Sequence, residues 1–490
     1  MQAIKIFDEM ITPYIAIGVV VAYFFLLLLV SFLTSKKGQN EAFFTGNKNS
    51  KWYVVAFGMI GSSLSGVTFI SVPGWVSTSS FSYMQVVFGY LFGYLIIATV
   101  LLPLYYRLNL ISIYSYLKDR LGEKSYKTGA FFFILSRTIG TAFRLFVVAN
   151  VLQISIFNSI GVPFEATVLI TIFLIWIYTK KGGIKTIIWT DTLQTFFMLA
   201  AVVITVLIIQ KELGWSWSQM VSEVKDSEYS QIFFFEEVNS KYYFWKQFLS
   251  GIFISIVMTG LDQDMMQKNL TCKNLQDAQK NMVSFSIVLI FVNFIFLTLG
   301  VLLYTYSQQI GIVLPEKTDD VYPYLAIGGH LGFGAGILFL LGLTAAAYSS
   351  ADSALTALTT SICFDFLDIT KMAKEKANSL RKNVHIIVAI ALAVVIIIFN
   401  LINDESVINA VFVVAGYTYG PLLGMFSFGL FTKYKVKDNF VPYVAVAAPI
   451  ISFFVDKYSE VLFNGYKFGF ELLIFNGLLT FLGLFLFRKK

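Results

Sequence analysis

The sequence predicts an all-α integral membrane protein, and three observations carry that prediction. Of the 490 residues, 57% are hydrophobic and only 13% are charged. A soluble domain needs roughly 25% charged residues to hydrate its surface. Mean hydropathy is +0.74. Apolar runs recur along the whole chain, many of them about 20 residues long, the length at which a helix crosses roughly 30 Å of hydrocarbon. Together these exclude a string of soluble domains, the default reading of a chain this long.

Apolar runs between charged or turn-rich gaps place thirteen spans, numbered 0 to 12. They lie near 12–34, 52–76, 83–106, 128–158, 163–180, 184–210, 244–266, 281–306, 331–363, 383–401, 405–431, 439–455 and 468–487. Span 0 follows the acidic Asp8 and Glu9 and lacks an A-x-A cleavage site, so it reads as a retained span and not a signal peptide. The 50 Phe and 26 Tyr suit lipid-facing and interfacial positions. Cys272 and Cys363 are too few for a disulfide framework.

Loop charges orient the spans. Most of the 36 Lys and Arg fall in alternate gaps: Lys36, Lys37, Lys48 and Lys51; Arg107, Lys118, Arg120, Lys124 and Lys127; Lys180, Lys181 and Lys185; Lys268, Lys273 and Lys280. Lys371, Lys374, Lys376, Arg381 and Lys382, then Lys433, Lys435 and Lys437, then Arg488, Lys489 and Lys490 continue the series. The opposite gaps hold Lys5, Lys211, Lys225, Lys241, Lys246, Lys317, Lys457 and Lys467, and the longest of them is acidic. Basic loops stay cytoplasmic, so the amino terminus is expected outside and the carboxyl terminus inside, in a cytoplasmic membrane. The net charge of +7 is then an insertion signal and a contact for anionic lipid, not a nucleic-acid site. No loop is long enough for a separate soluble domain, although the 211–243 loop has room for a short amphipathic helix around Trp215–Val224.

Ionisable groups at membrane depth are costly and face a bundle interior or water. Arg137 and Arg144 flank Thr141 on one face of span 3. Each is read either as a helix-locking ion pair or as a fork for a substrate carboxylate, with the deeper Arg144 preferred for the latter. Asp191 shares a face with Gln194 and Thr195 in span 5, where the alternative is a solvated helix end. In span 8, Ser349, Asp352, Ser353, Thr356 and Thr360 form an oxygen-bearing stripe. Such a stripe suits a hard cation; helix–helix adhesion or a salt bridge to span 3 is the other reading. Span 1 carries three glycines and three serines within Gly58–Thr68, a weak point at which freed carbonyls need partners. Span 6 has a comparable one at Thr259-Gly260, followed by Asp262 and Asp264. Broken helices at the midplane are how secondary transporters expose carbonyls to ions.

At these residues the chain resembles the sodium/solute symporter family over nearly its whole length. The marks are Gly182-Gly183-Ile184…Trp189-Thr190-Asp191-Thr192-Leu193-Gln194, the Ser349–Asp365 stretch, Asp262-Gln263-Asp264-Met265-Met266-Gln267-Lys268, and Gly420-Pro421-Leu422-Leu423-Gly424…Gly429…Phe431. The third carries Lys where the family has Arg. The resemblance implies a leucine-transporter-like 5+5 inverted repeat, with repeat one near 52–210, repeat two near 244–431, span 0 before them and extra helices near 439–487. It also implies a main sodium site at Gly61, Leu64, Ala346, Ser349 and Ser350. A second site, found in some members, maps to Asp191, Ser349, Asp352 and Ser353. Asp352 replaces the Ser of those members, a departure that would strengthen a second sodium, admit a proton or neutralise an arginine; the second sodium is favoured. Substrate candidates are Ser65, Thr68, Gln85, Arg144, Thr259 and Tyr417. Arg144 aligns with the arginine that binds the acid group in sialic-acid members.

The function expected is therefore sodium-coupled import of a small, carboxylate-bearing solute by alternating access. Its partners are substrate, Na+ as coupling ion and the bilayer, with no other cofactor, no catalytic residue and no obligatory protein partner. Alternatives are proton coupling through Asp191 and Asp352, sugar transport, or a non-transporting sensor; a chain ending at Lys490 just after its last span counts against the sensor. An enzyme is disfavoured because His330 and His385 lie near span ends, with no nucleophile–base pair in view.

Overall fold

A run of apolar residues in lipid has one way to satisfy its backbone locally, the α-helix, and the computed structural model of the chain is predominantly helical over the described residues. It describes residues 11–34, 48–402 and 407–489, with side chains at 180–183 and 185 excepted. The charges expected at Lys5, Asp8, Glu9, Lys36, Lys37 and Lys490, and the side chains of Lys180, Lys181 and Lys185, lie outside the described residues. The helices used below are α1 Pro13–Thr34, α2 Trp52–Ser63, α3 Gly66–Ser79, α4 Tyr83–Ile96, α5 Glu123–Leu152, α6 Phe164–Glu212, α7 Trp217–Asp226 and α8 Phe244–Ser255. They continue as α9 Gln263–Asn269, α10 Leu275–Ile310, α11 Gly332–Ser361, α12 Lys374–Ile402, α13 Val407–Thr418, α14 Gly420–Phe431, α15 Val441–Lys457 and α16 Leu472–Leu486.

Among the described residues, eight helical segments are long and apolar enough to cross a membrane, and up to eleven if each of three bent pairs is one span. Two shorter apolar helices, Phe164–Thr179 and Leu472–Leu486, accompany them. The first of these is the opening part of α6. Along one straight helix Tyr178 and Thr190 would stand about 18 Å apart, yet their hydroxyls reach the same Asp352 Oδ2, at 3.0 and 3.4 Å. α6 therefore does not run straight between them.

Several helices run further into their charged flanks than hydropathy predicts, because the polar turns have their own caps. Asn274 accepts from the Asp277 N–H at 2.9 Å and starts α10 six residues before the expected 281. In the long loop, Ser216 accepts from the Gln219 N–H at 3.1 Å, and α7 follows with Met220 and Val224 turned inward.

The bends position the site. α2 and α3 meet at 57° across Leu64 and Ser65, and the α8 segment meets α9 at 70° across Leu261 and Asp262. Both fall where the Gly/Ser-rich and Thr-Gly sequences weaken the helix. A third bend, 45° between α13 and α14, was not foreseen. Pro421 at the start of α14 lacks the N–H that would continue the α13 ladder. α11 packs against α2, α3, α5, α6 and α9, so the oxygen-rich stripe of its buried half faces both breaks. Small residues permit the approach. A Cβ on Gly61 would stand 2.2 Å from Thr195 Oγ1, so α2 and α6 can close to this distance only with glycine there.

Candidate functional site

Two breaks, two treatments of their carbonyls. At the α8–α9 break the exposed oxygens are capped by tyrosines: Tyr105 donates to Gly260 O at 2.8 Å and Tyr114 to Leu261 O at 2.9 Å. Asp262 starts α9 by accepting from the Asp264 and Met265 N–H groups at 3.0 and 3.3 Å, and also accepts from Tyr419 at 2.8 Å. At the α2–α3 break, Leu64 donates back to Ile60 and the next bond forward runs from Phe69 to Ser65. The carbonyls of Gly61–Leu64 thus fall in the gap between two ladders. On α11, which packs against both α2 and α3, Ser350 Oγ is buried and makes no hydrogen bond. An unpartnered buried hydroxyl costs about 1–3 kcal/mol, and a hard cation beside it would recover that cost. Of the five residues expected at the main sodium site, Gly61 and Leu64 lie at the break, and Ala346, Ser349 and Ser350 are buried on α11.

The second group expected to bind sodium also comes together, around a cation supplied by the chain. Asp191 is fully buried, not solvated at a helix end. Its carboxylate accepts from Ser349 at 2.6 Å and Ser62 at 2.9 Å, and pairs with Lys268 Nζ at 2.9 Å. Ser353 stands 3.4 Å from Asp191 and 3.2 Å from Asp352. Asp352 also accepts from Tyr178 and Thr190, and among the described residues it has no ion-pair partner. It does not neutralise an arginine of α5. Lys268, counted above with the cytoplasmic loop charges, is instead 1% exposed. It lies at the end of an apolar run, where hydropathy cannot separate a loop lysine from an ion-paired one.

Arg137 resolves to an ion pair. It bonds Asp264, and its other terminal nitrogen stands 3.7 Å from Asp262. With Lys268 3.6 Å from Asp264, the charges form a chain Arg137–Asp262/Asp264–Lys268–Asp191 that ties α5, α9 and α6. Arg144, two turns along α5, enters none of the ion pairs among the described residues. It lines a cavity between the breaks together with Ser65, Thr68 and Thr259.

Two substrate candidates lie elsewhere. Gln85 donates to Tyr242 O at 2.9 Å and accepts from the Phe234 N–H at 3.1 Å, holding the long loop. Tyr417 donates to Asp456 at 2.7 Å, against α15. In their place the cavity takes Tyr83, Tyr90 and Tyr94 from α4, and Asn293 from α10. The tyrosines recur at roughly helical spacing, a signal that reads equally as core. At the edge of the cavity Trp75 packs against Tyr83, Tyr83 against Phe412 and Phe412 against Phe470 in tilted ring contacts, with centroids 4.7–6.3 Å apart. His385 bridges Thr179 and Thr359 at 3.0 Å each, between α6 and α11.

Broken helices around a cavity lined by polar and apolar side chains, with ionisable groups at depth, fit a multi-pass membrane transporter. The chain belongs to the sodium:solute symporter family, whose model matches residues 43–438. It is similar to the sodium/sialic acid symporter SiaT of Proteus mirabilis (strain HI4320), at 24% identity, covering 93% of this chain and 92% of that protein. It is also similar to human sodium-coupled monocarboxylate transporter 2, at 22% identity over 81% of this chain and 64% of that one. Among solved structures it resembles a Na+-coupled sialic acid symporter, described as substrate-bound, outward-open and carrying a novel Na+ site, with a TM-score of 0.80 at 19% identity over 96% of this chain and 97% of that one. Mhp1, a nucleobase-cation-symport-1 family transporter, follows with a TM-score of 0.54 at 15% identity over 91% and 94%.

Proposed function

We propose that the chain imports a small carboxylate-bearing solute together with sodium, by alternating access. Sodium-coupled symport is what its family membership supports. The carboxylate reading rests on one observation: Arg144 is a guanidinium at the cavity that forms no ion pair with a carboxylate of the described residues, Asp262 and Asp264 being paired with Arg137. A substrate acid would complete it through the paired N–H geometry of guanidinium. The resemblance to sialic acid symporters and monocarboxylate transporters, whose substrates are acids, supports the same class.

In this reading sodium sits between the carbonyls at Gly61–Leu64 and the hydroxyls of Ser349 and Ser350, holding α2 to α11. That contact shapes the cavity edge at Ser65 and Thr68, so sodium and substrate favour one another, and the coupling is reciprocal. An ion crossing the full potential contributes about 2.3 kcal/mol per 100 mV. Separation of α11 from α2 on the cytoplasmic side releases both. The reading takes thirteen spans, amino terminus outside, with residues 52–210 and 244–431 as the two repeats; the eight to eleven long apolar spans, the two shorter apolar helices and the basic gaps support it.

Thermal stabilisation of the purified protein by amino acids, sialic acids, monocarboxylates and neutral sugars, with sodium or choline, tests the substrate class. An acid is expected to stabilise only with sodium, and Arg144→Gln to weaken its binding at least about 30-fold, the lower end for truncating a buried charge partner. Stabilisation by neutral sugars alone would remove the carboxylate role. A second reading, proton coupling, is favoured by the hydrogen bonds of Asp352, all of which come from hydroxyls and none from a cation; uptake driven by a pH gradient without sodium would establish it.

A further inference from the structure

We infer that Lys268 is the resident cation of the Asp191–Ser353 pocket, so this chain binds one sodium and not two. The inference rests on the sodium-coupled reading above and goes beyond it in fixing how many ions are bound.

An ammonium has three N–H donors and no acceptor. Those of Lys268 meet three acceptors: Asp191 Oδ2 at 2.9 Å, Ser353 Oγ at 2.6 Å, and Ser62 Oγ. Asp264 Oδ1, at 3.6 Å, adds a second negative charge. The donor set is saturated, and the ammonium occupies the point where the carboxylate and hydroxyl oxygens converge. These are also oxygens a second sodium would use. A sodium entering beside Nζ would meet a like charge a few ångströms away with little water to screen it. It would also strip the lysine of its carboxylate in a fully buried position, where an unpaired charge is strongly unfavourable.

The placement has a mechanical consequence. Lys268 rides on α9, the short half of a broken span, and its contacts lie on α2, α6 and α11. A dissociable ion in that pocket would link the same three helices only when bound. A tethered ammonium links them at every sodium concentration, and it moves with α9. Ser349 remains outside its coordination and donates to Asp191 Oδ1 at 2.6 Å. The neighbouring Ser350 hydroxyl stays unpartnered. The two cation positions are therefore separable by mutation.

Equilibrium binding of radiolabelled sodium to the purified full chain in lipid nanodiscs, in a choline background, tests this without knowledge of the substrate. The wild type is expected to bind one sodium per chain. Lys268→Gln, which keeps length and hydrogen bonding but removes the charge, is expected to bind two. Lys268→Gln combined with Asp191→Asn is expected to return to one. Two sodium ions on the wild type would overturn the inference, as would a single ion on a Lys268→Gln variant that elutes and melts as a folded protein. Where that variant fails to fold, the wild-type count decides alone. No sodium on the wild type but one on Lys268→Gln would refute the site at Ser350 while leaving the role of Lys268 standing.

Discussion

Ser350→Ala is expected to raise the sodium concentration for half-maximal uptake by about ten- to a hundred-fold. The hydroxyl is a ligand for a charged species, and hydrogen bonds to charged groups are worth about 1.5–3 kcal/mol, with 1.4 kcal/mol per factor of ten. The variant separates binding from folding unusually well. Ser350 Oγ makes no hydrogen bond within the protein, so removing it breaks nothing in the sodium-free state. The melting temperature in choline should match that of the wild type, while the added stability conferred by sodium should disappear. A Ser350→Ala protein whose sodium activation curve overlays the wild type would show that sodium binds elsewhere. Ser349→Ala would not be so clean, because that hydroxyl also donates to Asp191.

Arg137→Ala is the substitution expected to destabilise most, by about 3–5 kcal/mol, the usual cost of removing one partner of a buried ion pair. Asp262 and Asp264 would both lose their guanidinium, leaving Lys268 to serve Asp264 from 3.6 Å and Tyr419 to serve Asp262 from 2.8 Å. Most of the loss is the penalty of stranded carboxylate and not the worth of the pair. Arg137→Ala with Asp264→Asn should therefore recover a substantial part of it. Thermal melts of the two single variants and the double variant close the cycle. Additive losses would mean that the buried pair is not what holds α5 to α9. Arg144→Gln offers the contrast, since it leaves no carboxylate of the described residues unpaired and should cost substrate affinity far more than stability.

The sequence shows the breaks plainly, because glycine, serine and threonine in mid-span have no role in a straight lipid-facing helix. It shows Arg144 for a related reason: a guanidinium at membrane depth needs a purpose. It could not show which partner each charge takes. Arg137 and Arg144 share a helical face and look alike in sequence, yet Asp262 and Asp264 form ion pairs only with the first. Lys268 was hidden by position. Four residues beyond Asp264 and beside a run of polar residues, it has the signature of a loop lysine, and only the folding of α9 against α6 and α11 brings it to Asp191. Gln85 and Tyr417 differ in the opposite way: each sits on a helix that borders the cavity, but the side chain bonds a loop carbonyl or Asp456. Periodicity gives the face of a helix and not the partner opposite it. The bend at Tyr419 was marked by Gly420-Pro421, read above only as part of a motif, although a proline at that point is also a physical stop for α13.

Reconstitution into proteoliposomes addresses the coupling directly. A labelled form of the acid that stabilises the protein is added outside, with an inward sodium gradient and equal pH on both sides. Accumulation above the external concentration is predicted, with collapse on adding a sodium ionophore and only slow equilibration when choline replaces sodium. Accumulation under a pH gradient in the complete absence of sodium would contradict the account and return Asp352 to the centre of the mechanism.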